Sequence, residues 1–353
     1  MVDYLVIGLG LAGISFCEEL EKHQKTYLVL NDNSQTSSTV AGGLYNPVIL
    51  KRFTVAWNAK EQLDKAIPFY NQLEKKLKIT INSKIPVLRL FASIEEQNLW
   101  FEAADKPLLK PFLSTNLIAN SNDAIQAPFG YGEVLGTGRI DTKLLLQHYS
   151  EYLLNKEKLL KETFYFKQLV FEEDFISYKS IKAKQIVFTT GYGLQSNPYF
   201  NYLPLNGTKG ELLTIKAPNL KEKNVVKSSV FIIPLEGDLY LVGATYKWKD
   251  KTNMPTEAAK LELLEKLDTF LKCNYEVVEH VAGIRPTVAD RRPLVGRHPK
   301  HKNMYVLNGF GSRGVMLGPT TAPQLFNFIE KSINLPSEIN IDRFTKKYFT
   351  PAS

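Results

Sequence analysis

Cysteine is scarce in this sequence: Cys17 and Cys273 are the only two among 353 residues. Two thiols cannot build a disulfide framework or a four-ligand zinc site, and no bound metal is expected. A reducing cytoplasm is the expected setting. Long apolar runs are missing as well. None approaches the roughly 18 residues that a bilayer-spanning helix needs, which excludes transmembrane helices. There is no internal repeat, no low-complexity tract and no linker of flexible composition, so fibrous and disordered classes fall away. Histidine is sparse, and His23, His148, His280, His298 and His301 are expected to be structural or superficial. No side chain stands out as a general base. The apolar stretch Tyr4 to Phe16 is short of a signal peptide: it lacks a basic leader, follows Asp3 and carries three glycines.

What is present is an ordinary globular mixture. Hydrophobic residues make up 44 % and charged residues 23 %, and the length allows about two domains. Lysine and arginine number 44 against 36 aspartate and glutamate, leaving +8. That balance favours anionic partners such as nucleotide cofactors, carboxylates or nucleic acid. The hydrophobic pattern predicts a strand at Tyr4–Ile7, a helix over Ile14–Lys22 and a strand at Thr26–Leu30. Helices are predicted over Ala56–Leu77, Thr142–Leu154, Thr256–Leu271 and Val315–Lys331. A β-rich stretch follows from Ile79 to Phe91, interrupted by Pro86. Strands are predicted at Gln185–Thr190, Leu212–Ile215, Val230–Ile233, Leu239–Val242 and Met304–Leu307. Any two domains would be interleaved along the chain rather than consecutive.

Four segments carry chemistry. The first, Gly8-Leu9-Gly10-Leu11-Ala12-Gly13, follows a strand and opens a helix. That is the context a pyrophosphate site requires: a tight turn, a bare backbone, and unpaired N–H groups at a helix start. A group for ribose hydroxyls belongs at the end of the next strand, where Asn31 and Asp32 both qualify. The second segment runs from Ser37 and Ser38 to Gly42, Gly43 and Leu44, combining hydroxyls with small residues. The third, Val187 to Gly193, puts Thr-Thr-Gly191-Tyr-Gly at a strand end, where ligands meet open α/β sheets. The fourth holds Gly283-Ile284-Arg285-Pro286, then Asp290, Pro293 and Gly296, then Asn308-Gly309-Phe310-Gly311-Ser312-Arg313-Gly314-Val315. It reads as an arginine beside a strand, a turn, and a second glycine-rich loop opening a helix. The two helix starts are expected at opposite ends of one stretched dinucleotide. Arg285 could hold a carboxylate bidentately.

Taken together these residues resemble the D-amino-acid oxidase and glycine oxidase family of FAD-dependent enzymes, over nearly the whole chain. The strands of Phe231 to Thr245 and the Lys209-Gly210-Glu211 segment are similar to that family's substrate domain. The resemblance implies an α/β fold: a Rossmann-type FAD-binding domain (1–78, 136–202 and 283–353) with an interleaved antiparallel-sheet α+β substrate domain (79–135 and 203–282). It implies non-covalent FAD held by Gly8, Gly10, Leu11, Ala12, Gly13, Asn31, Asp32, Ser37, Ser38, Gly42, Gly43, Leu44, Leu169 and Gly191. Gly311, Ser312, Arg313, Gly314, Val315 and Met316 would wrap the flavin edge. A helix start there would favour the reduced, anionic flavin by about 1 kcal/mol.

The implied activity is oxidation of an amine next to a carboxylate by hydride transfer to flavin N5, giving an imine that hydrolyses. Arg285 and Arg313 are the implied catalytic pair. Two departures from the family pattern stand out. A second substrate arginine would fall at Ser312 but sits next door at Arg313, and an aromatic hydroxyl is missing near Phe231. The Gly-Ser-Arg-Gly loop and the Gly-Leu-Tyr-Asn-Pro segment look more like the flavin domain of the bacterial enzyme that trims carboxymethylaminomethyl-uridine in tRNA. The implied partner is therefore a small amine or amino acid, with tRNA as the alternative and a non-catalytic FAD-binding role as the third reading. No membrane partner is expected.

Overall fold

β1 (Val2–Ile7) and β2 (Tyr27–Leu30) are short apolar runs, and α1 (Leu11–Lys22) joins them. They pair in parallel, Ile7 opposite Leu30, and β1 also pairs in parallel with the Ile181–Phe188 strand. The structure, a computed structural model, describes residues 1–349; positions 350–353 of the expected third FAD segment lie outside the described residues.

Side chains alternate across β1. Tyr4 and Val6 enter a core shared with α1, α2 (Ala59–Leu77), α4 (Thr142–Asn155) and α6 (Gly314–Lys331). Leu5 and Ile7 enter a second core with Phe188 and Phe200 on the other face. A sheet buried on both faces needs continuous apolar strands, which is how β1 and Met304–Asn308 read. The latter adds in parallel to Ile181–Phe188.

The second sheet has eight strands. Across it run Glu276–Arg285, Thr208–Lys216, Leu239–Gly243, Phe231–Pro234, Val225–Lys227, Val87–Leu90, Tyr131–Val134 and Leu113–Ile118. All neighbours are antiparallel except Val225–Lys227 with Val87–Leu90. Leu213 and Ile215 pack on α5 (Glu257–Asp268) through Leu263 and Leu267, while Leu212 and Leu241 face the opposite side. A three-stranded ribbon of Leu44–Tyr45, Gly138–Ile140 and Asn82–Ser83 is the third sheet of the fold.

Among the elements that escape the sequence pattern, two show why. α3 (Ile94–Ala104) leaves Ile94 and Leu99 exposed, so its apolar stripe is blurred, and its clearest signal is the Ser93 cap accepting from the Glu96 N–H at 3.3 Å. The first half of Glu276–Arg285 reads Glu-Val-Val-Glu-His, with no alternation, at a sheet edge where burial is weak. No helix among the described residues is long and apolar enough to cross a membrane.

Candidate active site

A cavity of about 500 Å³ is lined by the end of β1, the start of α1, the 31–44 segment, the second sheet and the loop before α6. Its geometry begins with the turn after β1. Gly8 takes φ +101°, and a Cβ there would lie 2.9 Å from the Thr189 carbonyl oxygen. A Cβ on Gly13 would lie 2.3 Å from the Gly8 oxygen. Gly13 therefore lets the helix close on the turn and does not line the cavity, whereas Gly8, Gly10, Leu11 and Ala12 do. No side chain caps α1 at Gly10; the Leu11 N–H reaches Ser38 Oγ at 3.3 Å.

The second helix start forms in the same way. Asn308 Nδ2 donates to the Gly191 oxygen at 3.0 Å, and the chain turns through Gly309 (φ +77°) and Gly311 (φ +56°) into α6. No side chain caps α6 at Arg313. Both helix starts reach one cavity. Gly314 packs on Leu11, whose Cδ1 would lie 3.0 Å from a Cβ added there. The two starts lie near one another and both line the cavity, because α1 and α6 pack against each other in the first core. Unpaired helix N–H groups gathered in this way attract negative charge.

Asn31, Asp32, Ser37, Ser38, Gly42, Gly43, Leu44, Gly191, Gly311, Ser312, Gly314 and Val315 line the cavity. Leu169, Arg313 and Met316 do not. Leu169 pairs with Tyr178 in an antiparallel hairpin and is buried in the second core, and Glu162, Thr163, Phe164 and Phe166 line the wall instead. Those four follow a two-residue strand without any motif, so nothing in the sequence signals them. Met316 is turned into the first core. Arg313 has a buried Nη1 with no hydrogen-bond partner, and burial and the nearby Arg292 lower its pKa.

Asn31 divides its amide between two neighbours. Its Oδ1 accepts from the Leu9 N–H at 3.1 Å, and its Nδ2 donates to Asn33 Oδ1 at 2.6 Å. Asp32 is exposed at the cavity edge; burial pushes its carboxyl up, but hydrogen bonds from Ser34 prevail and hold it below the usual range.

Arg285 ends the Glu276–Arg285 strand and lines the cavity. Its Nη1 donates to the Thr245 oxygen at 3.2 Å, and its ζ-carbon lies 5.5 Å from the centre of the Tyr246 ring. Among the described residues it has no carboxylate partner within 4.0 Å. Burial lowers its pKa, as for a cation short of counter-charge. Behind it, fully buried Lys209 is held by Asp250 at 2.6 Å, and Glu211 accepts from Thr256 N at 2.7 Å. None of the five histidines lines the cavity, and no cluster of metal-ligating side chains occurs among the described residues.

Comparison with known proteins adds to this geometry. Residues 3–325 match the family described as FAD dependent oxidoreductase, DAO. The glycine oxidase of Bacillus subtilis is 29 % identical over 150 residues, 40 % of this chain and 41 % of that protein. The tRNA 5-methylaminomethyl-2-thiouridine biosynthesis bifunctional protein MnmC of Aromatoleum aromaticum is 26 % identical over 168 residues, 42 % of this chain and 26 % of that one. This chain thus spans less than half the length of these relatives. The crystal structure of glycine oxidase from Geobacillus kaustophilus superposes with a TM-score of 0.80 at 17 % identity, covering 100 % of this chain and 99 % of that one, a likeness of fold. With a glycine turn, two joined helix starts and a match running from β1 into α6, this chain belongs to the DAO family of FAD-dependent oxidoreductases.

Proposed function

We propose that this enzyme oxidises the C–N bond of an amine bearing a carboxylate on the adjacent carbon, an amino acid or an N-substituted glycine. The observation that carries the reading is Arg285: a cationic fork on the cavity wall with no acidic partner among the described residues. A guanidinium in that state matches a carboxylate in charge and shape.

The residues fit FAD. Two helix starts meeting one cavity suit a pyrophosphate and an electron-rich ring edge. Gly8, Gly10, Leu11 and Ala12 would hold the pyrophosphate, with Ser37, Ser38, Gly42, Gly43 and Leu44 alongside. Asn31 spends its amide on Leu9 and Asn33, which leaves Asp32 for ribose hydroxyls. Gly311, Ser312, Gly314 and Val315 would meet the flavin. When bound, FAD supplies the hydride acceptor that converts the C–N bond to an imine, which water hydrolyses. The protein's part is placement: Arg285 fixes the carboxylate and thereby the C–H to be broken. We further propose the domain division 1–78, 136–202 and 283–353 for FAD, with 79–135 and 203–282 for the substrate.

The test is an anaerobic screen of carboxylated amines followed by loss of flavin absorbance. Arg285→Ala should raise KM for an active amine about ten- to a hundredfold, the cost of a charge-assisted pair. Unchanged kinetics would sink the clamp.

A second reading has its own observation. Arg291 lies 5.8 Å from the Tyr246 ring centre and Arg292 5.0 Å from that of Trp57, and neither has a carboxylate partner among the described residues. Tyr246 and Trp248 are exposed beside them. Arginines interleaved with exposed aromatics suit phosphates and stacked bases. On this reading the N-substituted glycine is carried on the wobble uridine of a tRNA. Turnover on tRNA that falls steeply with salt supports it; salt-insensitive turnover confined to free amino acids refutes it.

A further inference from the structure

Arg285 reaches its position by crossing a neighbouring strand. It is paired with Thr208 on the Thr208–Lys216 strand, and Gly210 lies two residues further along, opposite Gly283. Alternation puts Arg285, Gly283 and Gly210 on one face of the sheet. From there the guanidinium lies over Gly210. A Cβ at Gly210 would sit 2.0 Å from Arg285 Nη2, 2.2 Å from Cζ and 2.3 Å from Nη1. No side chain of any size fits beneath the fork.

Beyond Gly210 the fork meets the segment that follows the Leu239–Gly243 strand. Nη1 donates to the Thr245 oxygen, and the Tyr246 ring lies 5.5 Å from Cζ. Tyr246 is itself fixed. Arg291 donates to its hydroxyl at 3.2 Å, and Trp248 packs edge-on at 5.4 Å. The segment is pinned to the sheet, because Lys209 and Lys247 exchange backbone hydrogen bonds at 2.9 Å in both directions. Lys209 also anchors Asp250 at 2.6 Å. The fork thus has a bare glycine floor and an aromatic neighbour, and one backbone acceptor takes a single N–H.

We propose that Gly210 and Tyr246 are positioning residues for the carboxylate of the substrate: Gly210 lets the Arg285 guanidinium lie across the strand, and Tyr246 holds it there by a cation–π contact. This rests on the carboxylate-clamp reading of Arg285.

The experiment titrates the FAD-loaded enzyme with glycolate, a carboxylate without an amine, and reads the perturbation of the visible flavin spectrum. FAD content and melting temperature are recorded for each variant. Gly210→Ala should weaken glycolate about tenfold, and Tyr246→Leu about threefold. Both should keep their FAD, and for an active amine both should raise KM more than they lower kcat. Tyr246→Phe retains the ring, loses only the Arg291 hydrogen bond, and should weaken glycolate less than Tyr246→Leu does. Should Gly210→Ala not fold, the Tyr246 pair still decides. If Arg285→Ala abolishes glycolate binding while Gly210→Ala and Tyr246→Leu leave it intact, the positioning inference is overturned and the clamp stands. If glycolate binding survives Arg285→Ala, the clamp itself is overturned and the inference with it.

Discussion

At the residue scale the molecule depends on side chains that are absent or kept neutral. Gly13→Ala would drive a Cβ to 2.3 Å from the Gly8 oxygen, a backbone atom that cannot move without opening the turn. The expected outcome is purified protein with little bound flavin, read as the 450 nm absorbance per chain. His298 shows the other case. Burial, then the neighbouring His301, lowers its pKa to about 4. Its Nδ1 accepts backbone N–H groups from Lys300 and His301 at 3.2 Å each, which requires an unprotonated nitrogen. A base with a depressed folded pKa gives stability that is full above about 6.5 and is lost as pH falls toward about 4. Thermal melts over that window should decline, and His298→Asn should flatten the slope. An equal slope in the variant would discount His298 as the cause.

At the element scale α1 is tied to its neighbours by charge as well as packing. Glu21 on α1 accepts from Lys76 of α2 at 2.6 Å, from Tyr152 of α4 at 2.8 Å and from Lys158 at 3.1 Å. Burial pushes the Glu21 carboxyl up, but these donors and Tyr27 outweigh it and hold the pKa at about 2. The sign follows: its contribution is present above about 4.5 and is lost as pH falls toward 2. Glu21→Gln should lower the melting temperature at pH 7 and narrow the gap to the parent enzyme below pH 3. α4 tests local structure. Asp141 caps it by accepting from the Leu144 N–H at 3.0 Å, so Asp141→Ala should cost about 1 kcal/mol in urea unfolding.

At the scale of the whole molecule, the cavity gathers regions far apart in the chain. The cavity wall draws on residues near 8, 42, 164, 210, 285 and 312. A ligand that binds only this assembled state stabilises it by mass action, by about 4 kcal/mol at a thousandfold excess over Kd. Stripping the flavin should therefore lower Tm, and added FAD should restore it in a concentration-dependent way. A melting temperature indifferent to FAD would argue that the cavity does not hold it.

Much of this was determined by the sequence alone. A glycine turn after an apolar strand, a second one before α6, and the Gly-Ile-Arg-Pro segment are local patterns, since a tight turn, a helix start and a buried strand each limit the residues they accept. The strand–turn–helix–strand unit of β1, α1 and β2 followed from the same rules. The tertiary structure decided what depends on neighbours in space. It put the two helix starts near one another, because α1 and α6 share a core. It turned Leu169, Met316 and Gly13 away from the cavity, because hairpin pairing and helix packing fix their directions. It laid Arg285 across Gly210 toward Tyr246, a contact made by two strands and the segment after a third that no spacing along the chain encodes.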